Sequence, residues 1–309
     1  MRRFLAHLLA FVALQAVILV LVWRSCPRDE GHYMAATIDK HARLRAAASP
    51  RLILVGGSNM GFSVDSRAFV ERGLGLAPVN MGLNDGLGLD FMLAEVAGQL
   101  RAGDVVIVAP ETSLYWTGSR NDAIWAVLEH RPASVGCLSP TTARELSDQG
   151  LHFLARKVRC AVHQVGLDSD LANVYRRDSF DEYGDFVAHR GLAGKHEATI
   201  DRPWPPLATL DFDPAIARLR EFADTCARAH ARCYLAWSPT RRFQYDHQRE
   251  LFAALEARLR ELDLPMLESS AEAVFADDQF FDRGPHLTGD AAARRSARLA
   301  ERLASASGS

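Results

Sequence analysis

Three stretches of this chain place reactive side chains where a fold could bring them together. Gly56-Gly57-Ser58-Asn59-Met60-Gly61 sets a serine directly after a glycine pair. Glycines let a chain turn sharply at a strand end and present the next residue at a helix start, where backbone N–H groups face an incoming anion. Near the C-terminus, Asp282 stands four residues before His286 across Gly284-Pro285. Such a turn folds the carboxylate back onto the imidazole, orients it and stabilises its protonated form. Serine, histidine and aspartate in these roles are a nucleophile, a general base and its orienting acid, the apparatus of acyl transfer. Each feature alone also has a plainer reading, Ser58 as a turn residue and His286 as a solvated surface histidine. The glycine turn lacks the G-x-G-x-x-G spacing of a dinucleotide site and the lysine of a phosphate loop.

These side chains need a scaffold, and the apolar pattern describes one. Arg51 to Gly57 (RLILVGG), Asp104 to Ala109 (DVVIVA) and Arg232 to Trp237 (RCYLAW) read as buried strands, with a shorter one at Leu264 to Leu267. Helical spacing covers Leu87 to Arg101, Pro214 to Ala231, Asp246 to Leu262 and Thr288 to Ala304. Strands alternating with helices specify an α/β fold, with a parallel sheet in a three-layer α/β/α arrangement. Ligands of such sheets bind beyond the carboxyl ends of the strands, which is where Ser58 falls. The stretch 112–210 breaks the rhythm with polar residues, the cluster Arg202-Pro203-Trp204-Pro205-Pro206 and weak helical periodicity at 142–165. A structureless loop of that length is uncommon, so a helical insert over one edge of the sheet is expected.

The composition narrows the function. Lys plus Arg is 36 and Asp plus Glu is 38 in 309 residues, so the net charge is −2, without the basic excess of a general nucleic-acid binder. Phe4 to Trp23 is interrupted only by His7 and Gln15, and its twenty residues reach about 30 Å as a helix, the thickness of a bilayer core. One transmembrane helix is expected. Arg2 and Arg3 favour a cytoplasmic amino end and an extracytoplasmic, periplasmic domain, against the weaker pull of Arg24, Arg28 and Lys40. The run is longer than a signal-peptide core and no A-x-A site follows it, so an uncleaved anchor is expected. The organisation is then an anchor at 1–30, a polar helical stalk at 31–50 and a domain at 51–309 carrying the insert. Cys26, Cys137, Cys160, Cys226 and Cys233 form no C-x-x-C, which gives no support for a zinc site. Two disulfides, Cys226 with Cys233 and Cys137 with Cys160, compete with buried free thiols.

Between the two reactive ends lies Pro78-Val79-Asn80-Met81-Gly82-Leu83-Asn84-Asp85-Gly86-Leu87-Gly88-Leu89. With it, the chain order of Ser, then Gly and Asn, then Asp and His resembles the SGNH (GDSL-like) hydrolase superfamily over roughly 51–111 and 234–304. It looks closest to the membrane-anchored bacterial envelope branch, which includes proteins of polysaccharide O-acetylation and teichoic acid D-alanylation. The resemblance implies a flavodoxin-like fold, Ser58 as nucleophile, Asp282 and His286 as acid and base, and the N–H groups of Ser58 and Gly82 as oxyanion donors. It implies an esterase if water takes the acyl group and an O-acyltransferase if a sugar hydroxyl does. The partners would be an acyl ester donor, a glycan or lipid acceptor and an integral-membrane acyltransferase, with no cofactor and no metal. The other class of reading is a non-catalytic SGNH-fold envelope protein that binds a glycan or a partner enzyme.

Two departures stand out. Where the family has an asparagine that donates to the oxyanion, the strand here runs into Pro110-Glu111-Thr112-Ser113, and a carboxylate donates only when protonated. Losing one such donor costs about 3 kcal/mol of transition-state stabilisation. Asn84 and Asn59 are the candidates to replace it. Glu111 itself either lines the site or caps the turn after the strand or pairs with an arginine of the insert. Three residues separate Asp282 from His286 where the family usually has two, and the Gly-Pro turn can absorb the extra one. Tyr115, Trp116 and Trp204 either line an acceptor site or pack at the core edge.

Overall fold

Strand β1 (Arg51–Val55) is apolar at every position after its first residue, and all of it is buried, the pattern of a strand with both faces covered. It pairs in parallel with β2 (Ala77–Asn80) on one side and β3 (Val105–Val108) on the other, and β3 pairs with β4 (Arg232–Leu235). The resulting sheet has the order β2-β1-β3-β4. A two-residue parallel pair, β5 (Thr240–Arg241) with β6 (Val274–Phe275), stands apart from it. These elements come from a computed structural model of the protein, which describes residues 2–25, 28–120, 122–164, 174–192, 194, 204–282 and 284–307.

The helices in chain order are α1 (Arg2–Ser25), α2 (Ala36–Ala46), α3 (Ser58–Phe62), α4 (Arg67–Glu71) and α5 (Leu89–Ala97). Then follow α6 (Ala123–His130), α7 (Pro140–Gln164), α8 (Asp213–Arg228), α9 (Arg242–His247), α10 (Arg249–Arg260) and α11 (Gly289–Ser307). Alternate strand residues point to opposite faces, and each face has its own core. Ile53, Val55, Val106 and Val108 join Phe91 of α5, Phe222 of α8 and Leu255 of α10. Leu52, Leu54, Val105 and Ile107 join Met60 of α3, Phe69 of α4 and Leu299 of α11. The protein is therefore mixed α/β with a parallel four-stranded sheet packed by helices.

At the other end of the sheet from Ser58, Arg51 and Asp104 form an ion pair that is fully buried on both sides. Arg51 Nε donates to Asp104 Oδ1 at 3.1 Å, and Arg51 Nη2 also donates to the Gln99 carbonyl at 2.6 Å. The backbone N–H groups of Arg51 and Arg101 complete the shell of Asp104 at 3.0 and 2.8 Å. The two charges thus tie the start of β1 to the approach to β3.

Several expectations need correction. The segment 31–50 is not a stalk: Tyr33, Met34 and Leu44 are buried in the larger core, and α2 packs as part of the domain. Its polar residues are satisfied inside, Lys40 by the Asn80 carbonyl at 2.9 Å and His41 by Glu95 at 2.9 Å. Strand β2 was hidden by its shortness and by Pro78, which an edge strand tolerates. Leu264 to Leu267 forms only a single parallel bridge, Met266 to Leu235, and no strand. The insert does contain helices, α6 and α7, as expected. Cys137, Cys226 and Cys233 are free thiols, so neither expected disulfide forms. Cys160 is disulfide-bonded, and Cys26 lies outside the described residues.

Helix α1 is long and apolar enough to cross a membrane over Arg3–Val22, none of which is buried. Residues 3–21 are all exposed, and Val22, close to where α1 meets α7, is the first that the protein partly covers.

Candidate active site

Ser58 opens α3 immediately after the Gly56-Gly57 turn at the carboxyl end of β1. Gly57 is there for want of room: a Cβ on it would lie 2.7 Å from Glu111 Oε1 and 2.9 Å from Asp85 N. The turn thereby brings Ser58 against two other strand-end segments at once.

His286 reaches Ser58 from the loop before α11. Its Nε2 lies 2.8 Å from Ser58 Oγ, and its Nδ1 lies 2.9 Å from Asp282 Oδ2. The ring is largely buried and stacks on Phe62 of α3, centroids 3.9 Å apart and planes 16° from parallel. That stack and the Asp282 contact hold the imidazole from a face and an edge. With Nδ1–H donating to the carboxylate, Nε2 is left as the acceptor for the Ser58 proton, the tautomer a general base needs. The extra residue between Asp282 and His286 is absorbed as expected. Gly284 N–H turns back to Asp282 Oδ1 at 2.9 Å, and Phe281 N–H donates to the His286 carbonyl at 2.8 Å.

Asp282 has a further partner that the sequence did not single out. The Tyr175 hydroxyl, from the insert, donates to Asp282 Oδ2 at 2.5 Å. Burial alone would raise the Asp282 pKa, but the His286 contact, the Tyr175 hydroxyl and Gly284 N–H together bring it down to about 2. A carboxyl so depressed adds stability that is present above about pH 4 and is lost as the pH falls toward 2. Tyr175→Phe removes a hydrogen bond to a charged group and is expected to cost about 1.5 to 3 kcal/mol in urea unfolding at pH 7. The difference from the native protein should shrink below pH 3; equal stability at neutral pH would show that the hydroxyl anchors nothing.

Glu111 lines the same site. It follows β3, and its Oε1 lies 2.9 Å from Ser58 Oγ and accepts a hydrogen bond from Asn59 N–H at 3.1 Å. It stands at the N-cap of the turn after the strand, but its side chain makes no capping bond there. Burial pushes its pKa up to about 7, the negative charge of Asp282 adds to the rise, and the bonds from Asn59 and Ser58 moderate it.

No family model and no curated protein matches the chain.

The remaining expected residues are placed differently. Gly82 N–H donates to Asn80 Oδ1 at 2.9 Å, and the residue packs against the Met60–Gly61 backbone, so its N–H is engaged away from Ser58. Asn84 Oδ1 accepts from Gly86 N–H at 2.7 Å and caps the short turn Asp85–Leu87. Asn59 uses its side-chain amide on the Ala109 carbonyl at 2.8 Å and offers the site only its backbone N–H. The backbone nitrogen that does lie against the Ser58 turn is that of Asp85. Its signal in the sequence was Gly57, a glycine that close neighbours, here Glu111 and the Asp85 backbone, require.

Beside Glu111 a cavity of about 190 Å³ opens between Thr112, Trp204, Thr240, Arg241 and Gly284. Trp204 meets Trp116 edge to face with centroids 5.3 Å apart, while Tyr115 is buried. A larger cavity of about 280 Å³, lined by Leu89, Trp116, Glu145 and Arg218, holds none of Ser58, Asp282 and His286. Among the described residues no group of three or more His, Cys, Asp or Glu is arranged to hold a metal ion.

Proposed function

We propose that this protein is a membrane-anchored serine esterase or O-acyltransferase of the SGNH (GDSL-like) type. The observation that carries this reading is the unbroken relay from Ser58 Oγ to His286 Nε2 at 2.8 Å and from His286 Nδ1 to Asp282 at 2.9 Å. In the proposed reaction His286 removes the Ser58 proton as Oγ attacks an ester carbonyl, and the imidazolium, steadied by Asp282, returns the proton to the departing alcohol. Water or a hydroxyl acceptor then releases the acyl group by the same steps in reverse order. Oxyanion donors on this scheme are the backbone N–H groups of Asp85, in place of Gly82, and of Ser58, the latter shared with Glu111.

The parallel sheet with helices supports a three-layer α/β/α fold of this type, with the site at the strands' carboxyl ends as such sheets require. Helix α1 supports a single-pass anchor, and Arg2 and Arg3 at its start favour an extracytoplasmic, periplasmic domain beside envelope esters. An acyl ester donor and a glycan or lipid acceptor are the matching substrates, and an integral-membrane acyltransferase is the matching partner.

A non-catalytic binding role is the second reading, and the carboxyl group of Glu111 at 2.9 Å from Ser58 Oγ is what favours it, since an ionised carboxylate repels an oxyanion. A fluorophosphonate probe separates the two. The full-length protein in detergent should be labelled at Ser58, and Ser58→Ala should not. A folded native protein that takes up no label would discard the serine-nucleophile reading.

A further inference from the structure

We infer that Glu111 acts as a neutral carboxylic acid, donating a hydrogen bond to the oxyanion that forms when Ser58 adds to a carbonyl, and that its ionised form shuts the site off. This rests on the serine acyl-transfer reading and names the group that fills the place of the missing oxyanion donor.

The geometry leads there through the proton count on Ser58. Its hydroxyl has two close partners, His286 Nε2 at 2.8 Å and Glu111 Oε1 at 2.9 Å, and only one proton to give. If Glu111 is ionised, Ser58 donates to it and His286 must face Oγ with Nε2–H, as the imidazolium or as the wrong neutral tautomer; in either form Nε2 has no lone pair with which to act as a base. If Glu111 is protonated, the bonds run in one direction. Glu111 O–H donates to Ser58 Oγ, Ser58 O–H donates to His286 Nε2, and His286 Nδ1–H donates to Asp282. Loss of the Glu111 proton converts the second arrangement into the first, with the one remaining N–H of the imidazole on Nε2. Only the second is armed.

The groups around Glu111 favour the neutral form in kind. Glu111 is buried, with Asp282 near enough to repel its charge, and Tyr33 is a neutral phenol that burial holds protonated. Arg241 lines the same cavity, but its Nη1 is bonded to the Asp277 carbonyl, and its Nη2 to the Asp282 carbonyl. Against these stand Asn59 N–H, the Ser58 hydroxyl and Ser58 N–H, which favour the anion. A carboxyl with its pKa raised to about 7 changes state within the physiological range.

The step balances without any further reactant. As the Oγ–C bond forms, the Ser58 proton moves to His286 Nε2 and the carbonyl π pair moves onto its oxygen, which accepts the hydrogen bond from Glu111. When the tetrahedral species collapses, the C–O bond to the leaving alcohol breaks and the imidazolium proton goes to that alcohol. Glu111 keeps its own proton throughout, as an amide donor would. A neutral carboxylic acid held as an oxyanion donor is established chemistry in an apolar site.

The consequence is an alkaline limb in the rate of Ser58 capture. Above about pH 7 the rate falls roughly tenfold per unit as Glu111 loses its proton. Glu111→Gln supplies an N–H donor that does not titrate and nearly preserves the shape of the side chain. The test is the rate of fluorophosphonate capture by the full-length protein, native and Glu111→Gln, from pH 5.5 to 9.5. The expected result is an alkaline fall in the native protein and a plateau in Glu111→Gln, which should be at least about tenfold faster than native at pH 9. A plateau in both, or an alkaline fall that persists in Glu111→Gln, overturns the role of Glu111 while leaving Ser58 as the nucleophile. Absence of label from both folded proteins at every pH overturns the serine reading and this one with it. Infrared difference spectra of native against Glu111→Gln give an independent check, because the carboxylic acid carbonyl band should be present at pH 6 and gone at pH 9. A carboxylate band already at pH 6 overturns the inference without reference to activity.

Discussion

His286→Ala is expected to slow fluorophosphonate capture of Ser58 by at least about a thousandfold, equivalent to roughly 4 kcal/mol of lost transition-state stabilisation. Without an acceptor at 2.8 Å the hydroxyl must attack while still carrying its proton, and a neutral alcohol is a poor nucleophile. Glu111 is no substitute, since a neutral acid takes no proton and an ionised one stands where the oxyanion must form. Alanine also empties the space over the Phe62 ring, so His286→Gln, which refills most of it, separates loss of base from loss of packing. Both variants should retain the native circular dichroism and both should be slow. Asp282→Asn should be slow for a different reason. An amide that donates toward Nδ1 favours the tautomer with the proton on Nε2, which is the wrong nitrogen for a base. Capture at the native rate in folded His286→Gln would show that His286 is not the base that activates Ser58.

Asp104→Ala is expected to lower the unfolding free energy by about 3 to 5 kcal/mol, the largest stability effect in the molecule that one residue outside the site should produce. Arg51 is fully buried, and its guanidinium would be left with only carbonyl partners in place of a counter-ion. Arg101 N–H and Arg51 N–H would lose an acceptor as well. Replacing both charges, as in Arg51→Met with Asp104→Leu, should recover part of the loss, because the penalty comes from the unpaired ion more than from the missing attraction. Urea unfolding of the full-length protein in detergent measures this. The pair sits at the amino ends of the strands and Ser58 at a carboxyl end, so molecules that remain folded should still be labelled at the native rate. A loss under about 1 kcal/mol in Asp104→Ala would mean that water reaches Arg51 when its partner is gone.

The reactive core of the site was legible because its members carry local marks. A glycine pair after an apolar run points to Ser58, and Asp-x-x-x-His across Gly-Pro points to Asp282 and His286. The central strands were legible for the same reason, being short, apolar and bounded by turns. What the sequence hid depends on contacts made far along the chain. Lys40 and His41 looked solvated, and only the Asn80 carbonyl and Glu95 make their burial tolerable. Tyr175 carries no local mark at all; its role exists only because Asp282, 107 residues further on, comes to meet it. Gly82 was the natural donor by its position in a motif, yet Asn80, two residues away, takes its N–H. Glu111 was visible as a departure from a pattern, but its state depends on burial, which a sequence does not display.

The distance along the chain between Ser58 and His286, 228 residues, sets when the site can come into being. A contact that closes so long a loop forms late, after the sheet has brought its ends together. During synthesis from the amino end Ser58 emerges with the first strand, whereas His286 follows only 228 residues later. The Tyr175 brace requires the intervening insert to be in place as well. On the proposed mechanism, partly folded chains carry an inert serine, and capture of Ser58 by a probe would report completion of the fold more stringently than helix content does.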